Sequence, residues 1–331
     1  MRISHPPLNP RDLIAGDAPI SLTANSAISG GTFRQEPAPA MASFISYHLS
    51  EHPSIVGFRW SHTQSWGSTW SFLFSSIALY LSTAVVFHCL LRLLLRHRRP
   101  VAVGPLPAFH SLAMALVSAT IFTGILVSAA AELRDTRWLR RRLRTTPFQW
   151  LLCFPIGTRP SGRVFFWSYV YYLSRFLHAL RSFLAILRRR KLSFFKLFNH
   201  STLIFSSFLW LEFSQSFQIL AILLTSLVYA VVYSYRFWTA VGLPAACFPV
   251  VVNCHILLLT GNLLCHVGVL SLHYFKGGCN GIGAWLLNSV LNGALLFLFV
   301  NFYVKMRRPA LSTAAPPPAG KLEPVKDTTD M

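Results

Sequence analysis

Long apolar runs constrain this chain more than any other feature. Several approach the roughly 20 residues that an α-helix needs to cross a bilayer. Lipid offers the backbone no hydrogen-bond partner, so such runs must be helical. The rest of the chain agrees: 53% of its 331 residues are hydrophobic and only 12% are charged. A soluble domain of this size carries about twice that charged fraction. The expected fold is an all-α integral membrane protein, with about seven transmembrane helices in one bundle. The candidate spans cover 72–91, 108–130, 164–187, 200–213, 217–238, 245–272 and 282–304. Pro244 breaks the chain before the sixth. The Lys276-Gly277-Gly278-Cys279-Asn280-Gly281 turn precedes the seventh and reads as flexible. It follows no strand and lacks the G-K-[ST] ending of a phosphate loop.

The domain layout follows. Residues 1–55 read as a disordered or weakly ordered N-terminal segment, rich in Ser, Pro, Ala and Gly. Met41 is a candidate start within it. Residues 56–308 form the membrane domain, and 309–331 a flexible tail containing Pro316-Pro317-Pro318.

The net charge is +20. The basic residues cluster at span ends, where Lys and Arg meet head groups and set orientation. No zinc-finger spacing or nucleic-acid module accompanies them, so membrane lipid and not nucleic acid is the expected anionic partner. Spans one, three, five and seven exit on Arg92, on Arg188 to Lys191, near Arg236 and on Lys305 to Arg308. That pattern predicts an outside or lumenal N-terminus and a cytosolic C-terminus. Arg134, Arg137, Arg141 and Arg144 run against it, and read either as a surface-lying amphipathic helix or as a sign that span two does not cross fully. The six cysteines contain no C-x-x-C pair and read as small core residues, with no metal site expected.

Ionisable residues inside spans carry the functional signal. A charge at mid-membrane costs about 2.5–3.5 kcal/mol on insertion scales. Arg175, His178 and Arg181 recur at i, i+3, i+6 and share a broad face of span three. Such a face points inward and suits either an anionic ligand, phosphate or carboxylate, or an interhelical polar network with Arg181 reaching towards the basic flank. His200 opens span four. Tyr229 and Tyr233 share a face of span five, followed by Tyr235 and Arg236. His255, Asn262 and His266 stack on one face of span six. Acidic residues are too few for carboxylate catalysis. Glu132, Asp135 and Glu212 are the only ones between His62 and Pro309, and none is assigned a catalytic role.

In order along the chain, several segments resemble the ELO family of fatty-acid elongase condensing enzymes. Residues 167–191, ending Leu187-Arg188-Arg189-Arg190-Lys191, are similar to that family's S-K-x-x-E-x-x-D-T…L-R-K-K segment. Residues 192–200 are similar to the segment bearing its H-x-x-H-H box. Val228 to Tyr235 resembles V-H-x-x-M-Y-x-Y. Leu298-Phe299-Val300-Asn301-Phe302-Tyr303 resembles L-F-x-N-F-Y. The resemblance covers about residues 52–308.

The resemblance implies a narrow acyl tunnel inside a seven-helix bundle of the endoplasmic reticulum membrane. It implies condensation of malonyl-CoA with a long-chain acyl-CoA, giving a 3-oxoacyl-CoA and CO2, with no cofactor. The cycle's reductases and dehydratase are implied partners. Site residues depart from the family pattern. Only the last box histidine is present, as His200. Asn199 and Tyr229 stand at the family's acyl-carrying histidines. His178, Arg181 and Ser182 replace its acids and threonine, and Arg175 its lysine. The catalytic candidates are therefore His200, with His178 and His255, beside Tyr229 and Asn199. Arg175, Arg181, Lys196, Tyr233, Tyr235 and Arg236 are candidates for binding substrate. The alternative is an ELO-like protein of weak or no catalytic activity that binds acyl-CoA or regulates elongation. A transporter predicts internal repeats, and the sequence contains none.

Overall fold

The computed structural model describes residues 40–94, 104–137, 146–188, 194–242, 248–275 and 277–313. Helices account for all regular structure among them, and one isolated bridge joins Arg59 to Ser161. In chain order they are α1 (Ala40–Ser46, continued by a π-turn over Tyr47–Glu51), α2 (Pro53–Val56), α3 (Trp70–Leu94), α4 (Leu106–Asp135) and α5 (Pro147–Leu152). Then come α6 (Arg163–Leu187), α7 (Phe194–Glu212), α8 (Gln218–Val241), α9 (Phe248–Phe275) and α10 (Ile282–Thr313).

Five of these are long and apolar enough to cross a membrane: α3, α4, α8, and the segments Ile256–Phe275 and Ile282–Asn301. Helices α6 and α7 do not meet that standard. They carry Arg175, His178, Arg181, Lys196, Asn199 and His200, which depress their hydropathy.

Helix α6 shows how such a helix lives in the bundle. Its buried positions include Val164, Ser168, Tyr171, Arg175, His178, Ser182 and Ile186, a continuous three-to-four-residue stripe. Leu177 and Leu180, on the other side, are exposed. Arg175 and His178 thus turn in beside apolar residues such as Val164 and Ile186, while the positions that face out are apolar leucines. Leu93, Phe109, Leu264 and Phe297 are likewise exposed on their helices. In water such a surface would be an aggregation hazard.

Helix α4 packs most extensively on α8 and next on α6, which in turn packs on α7. Gly124 permits the α4–α6 approach. A Cβ there would lie 2.2 Å from Cε2 of Trp167, closer than any real contact. Small residues at such crossings let membrane helices come together.

Several sequence expectations are corrected. The fourth helix starts at Phe194, six residues before the expected His200. Lys196 and Asn199 hide its first turn from a hydropathy reading, although helical packing continues through them. The helical turns from Ala40 to Val56 fall inside the stretch assigned to the N-terminal segment. They dock because the Leu49 carbonyl accepts from Trp167 Nε1 at 2.8 Å and from Ser128 Oγ at 3.2 Å. The surface helix expected of the basic stretch falls mostly outside the described residues. Arg134 ends α4, and 138–145, which include Arg141 and Arg144, lie outside the description, as do residues 1–39 and 314–331.

Two cysteines are not simple core residues. Cys153 and Cys279 form a disulfide across 126 residues of sequence. The glycine turn beside it is held tightly. Asn280 Nδ2 donates to the carbonyls of Phe213 and Ser214, and its Oδ1 accepts from Gly157 N. Gly281 has φ +68°, and a Cβ there would meet Gln215 Cα and the Phe213 carbonyl at 2.8 Å. Conformation and space both demand glycine. Nearby, Glu212 accepts from Trp60 Nε1 at 2.9 Å and lies 3.3 Å from His62 Nε2. Its role is to tie the 58–68 stretch to the end of α7.

Candidate functional site

The buried stripe of α6 meets α8 midway along the bundle. Arg175 is 1% exposed and His178 2%. The guanidinium of Arg175 lies over the Tyr171 ring at 3.9 Å and near the Tyr229 ring at 5.2 Å. Its Nη2 donates to Ser174 Oγ at 2.9 Å. Its Nη1 is buried and has no partner. His178 Nδ1 and the Tyr233 hydroxyl are 2.8 Å apart, and the imidazole lies 4.8 Å from the Tyr229 ring. His178 Nε2 is buried and also has no partner.

Two further cations stand close by. Arg181 and Arg236 place Cζ at 5.6 and 5.5 Å from the Tyr233 ring centroid. His200 lies within electrostatic range of Arg181, Arg175, Lys196 and His178, with its ring 6.5 Å from Tyr80. No carboxylate is within salt-bridge distance of Arg175 or Arg181 among the described residues. A buried charge without a partner costs about 3–5 kcal/mol. Cation–π contacts return about 2 kcal/mol when desolvated. The balance favours an anion, and the donor set of guanidinium and imidazole suits a carboxylate, a phosphate or a developing oxyanion.

The structure thus gathers Arg175, His178, Arg181, Tyr229, Tyr233 and Arg236, with His200 at their edge. Other expectations fare differently. Lys196 is exposed, while Asn199 and Tyr235 are half-buried. His255 lies on α9, with its side chain outside the described residues. His266 belongs elsewhere. It lies 3.0 Å from Ser289 Oγ and packs on Phe217 and Trp285. One helical face thus serves two depths: eleven residues separate His255 from His266, about 16 Å of helix. No group of three metal-ligating side chains occurs among the described residues.

Sequence reasoning missed two contributors. His110 on α4 lies 3.2 Å from the Leu177 carbonyl and 6.3 Å from the Tyr233 ring. It falls at the end of its span, where a histidine reads as interfacial. Tyr80 on α3 shares a hydrogen bond with Ser182 at 2.8 Å. A tyrosine in an apolar run carries no warning of that partner.

Known proteins place the chain. The model of the GNS1/SUR4 (ELO) family matches residues 65–310. An Arabidopsis thaliana protein named fatty acid elongase 3-like is 65% identical over 272 residues, covering 82% of this chain and 94% of that protein. Fatty acid elongase A of Dictyostelium discoideum is 23% identical over 76% of this chain and 89% of its own length. Fatty acid elongase sre1 of the same organism is 20% identical over 60% of this chain and 69% of its own length. No solved structure matches. With three quarters of its length inside the family model and a relative two-thirds identical along most of both chains, the protein is a member of the ELO family of fatty acid elongases.

Proposed function

We propose that this protein condenses malonyl-CoA with a long-chain acyl-CoA to give a 3-oxoacyl-CoA two carbons longer. The observation that supports this most is the carboxylate-free Arg175–His178 pair, with one unpartnered polar nitrogen on each buried side chain. The malonyl carboxylate leaves as CO2, and the electron pair of the broken C–C bond becomes a carbanion at the neighbouring carbon. That carbanion attacks the acyl thioester, a C–C bond forms, and CoA departs as thiolate and takes up a proton. Arg175 and Arg181 bind the anionic groups of the reaction, a malonyl carboxylate, a CoA phosphate or the oxyanion of the attacked thioester, which guanidinium matches in geometry and charge. His200 serves as base or as an acyl-carrying nucleophile. Burial of the centre among helices keeps water from protonating the carbanion.

The reading extends to location. Seven helices, α3, α4 and α6 to α10, cross the endoplasmic reticulum membrane. The Cys153–Cys279 disulfide faces the oxidising lumen, and Arg92, Arg188 and Arg236 face the cytosol. The chain acts beside the reductases and dehydratase of the cycle, and supplies elongated acyl chains for lipids such as sphingolipids.

One observation favours a second reading. Asn199 and Tyr229 stand where the family resemblance puts acyl-carrying histidines, and neither forms an acyl-imidazole. A protein that binds acyl-CoA without condensing it would carry such a site. One assay separates the two: purified protein in nanodiscs with carboxyl-labelled malonyl-CoA and acyl-CoAs of graded length. Release of labelled CO2 that His200→Ala abolishes is the expected result. Acyl-CoA binding with no CO2 release at any length would establish the second reading instead.

A further inference from the structure

Tyr233 stands at a junction of ionisable side chains. Its hydroxyl is 2.8 Å from His178 Nδ1. Arg181, Arg236 and His110 all lie against its ring. A guanidinium has only donors. Neither neighbouring guanidinium can take the proton of the buried phenol, and among the described residues His178 Nδ1 is the acceptor within hydrogen-bond distance of it. Nδ1 is then an acceptor. In a neutral imidazole the ring proton must sit on the other nitrogen, Nε2.

That nitrogen is one of the two unpartnered ones. The other, Arg175 Nη1, is three residues back on α6, on the same face. The Tyr229 ring lies against both side chains, 4.8 Å from the imidazole and 5.2 Å from the guanidinium carbon. Two buried N–H donors thus lie on one face of α6, each beside the Tyr229 ring. Buried donors are rarely left without acceptors.

We propose that Tyr233 is a positioning residue that holds His178 in its Nε2–H tautomer, and that His178 Nε2–H and Arg175 Nη1–H together cradle the oxygen of the reacting thioester. The proposal rests on the condensation reading above. As the carbanion attacks, the carbonyl electron pair moves onto that oxygen, where the two donors stabilise it. The pair returns to carbon as the CoA thiolate leaves. Donors fixed in a water-poor interior need no reorganisation at that moment, which is why such pairs count for so much in catalysis. His178 is then an electrophilic partner and not the nucleophile. That leaves the nucleophilic or basic role to His200.

The test begins with the tautomer. Full-length protein labelled with 15N-histidine is placed in nanodiscs, and the His178 signals are identified by their loss in His178→Gln. The wild type should show an unprotonated Nδ1 and a protonated Nε2. In Tyr233→Phe the proton should redistribute between the nitrogens. That variant should also lose about 100-fold in kcat, as when one oxyanion donor is removed, with KM for acyl-CoA within about twofold. A wild type with Nδ1 protonated, or both nitrogens protonated, overturns the proposal. So does a Tyr233→Phe variant that keeps wild-type kcat. A wild type that shows the expected tautomer but releases no CO2 from malonyl-CoA overturns the condensation reading and the cradle, and leaves the tautomer assignment standing. The wild-type spectrum decides the tautomer whether or not Tyr233→Phe folds.

Discussion

Arg163 and Arg175 lie twelve residues apart on the same helix and face opposite circumstances. Arg163, in the first turn of α6, donates to Asp135 Oδ2 at 2.6 Å. Arg175, in the middle, is deeper and has no carboxylate within salt-bridge distance among the described residues. The first is a structural charge, answered by a carboxylate within the fold, although its buried Nε has no partner. The second is held by aromatic faces, one serine and the Tyr171 carbonyl, with no carboxylate beside it and Nη1 left over. The contrast separates the charges that build this bundle from those that wait for something to enter it. A bundle can position an ion pair at its rim cheaply. It keeps an unanswered guanidinium in its centre only if a ligand completes the set.

The sharpest way to break this contrast is Arg175→Met. Methionine replaces the stem volume and removes the donors. Turnover should fall by about 10²–10³-fold, the range for loss of one preorganised donor. Thermal stability should hold or rise, since replacing a buried charge with apolar volume is often neutral or stabilising. Both are measured on the same nanodisc preparation, by CO2 release and by a melting curve. A variant that melts early but turns over normally would make Arg175 structural, like Arg163.

The disulfide end gives the next largest effect, and of the opposite kind. Cys153→Ser should cost about 2–4 kcal/mol of stability. Condensation measured well below the melting temperature should be unchanged, because the bridge joins the turn after α5 to the turn between α9 and α10, away from the middle of α6 where Arg175 stands. A non-reducing gel with thiol labelling shows whether the bond was present before substitution.

How much of this could be read from the sequence follows from the kind of interaction involved. The long helices are legible because lipid imposes one rule on every residue, and apolar runs report it. Arg175, His178 and Arg181 are legible because their cost in lipid is high and their spacing is local. The disulfide is not legible. It joins residues 126 apart without a spacing motif, and only the fold brings them together. The docked turns before Val56 are silent for a similar reason. Their anchor is a backbone carbonyl, that of Leu49, which every residue type carries. His266 misled in another way: helical periodicity gives a face but not a depth.

Gly124 should come third. Alanine there drives a methyl into the Trp167 ring, 2.2–2.4 Å from three of its atoms. Overpacking of this kind costs about 1–3 kcal/mol. Trp167 also holds the Leu49 carbonyl, so the turns over residues 40–56 should loosen with it. Limited proteolysis of Gly124→Ala should cut in that stretch earlier than in wild type. Equal cutting rates with an unchanged melting curve would mean that α4 and α6 can separate freely at this crossing.

Asp135→Asn should have the smallest effect, and it completes the comparison with Arg175. It removes the carboxylate that answers Arg163 and also faces Arg134. Asp135 is 47% exposed, so water and salt take up much of the lost charge. Exposed pairs contribute about 0–1 kcal/mol. The asparagine oxygen still accepts from Arg163, which reduces the loss further. Stability should therefore change by less than about 1 kcal/mol, and turnover should match wild type at both low and high salt. A large loss of turnover would mean that the rim pair sets the position of α6 and, through it, of Arg175. The two arginines would then be coupled along the helix, and the separation of structural from ligand-seeking charge would fail at its simplest point.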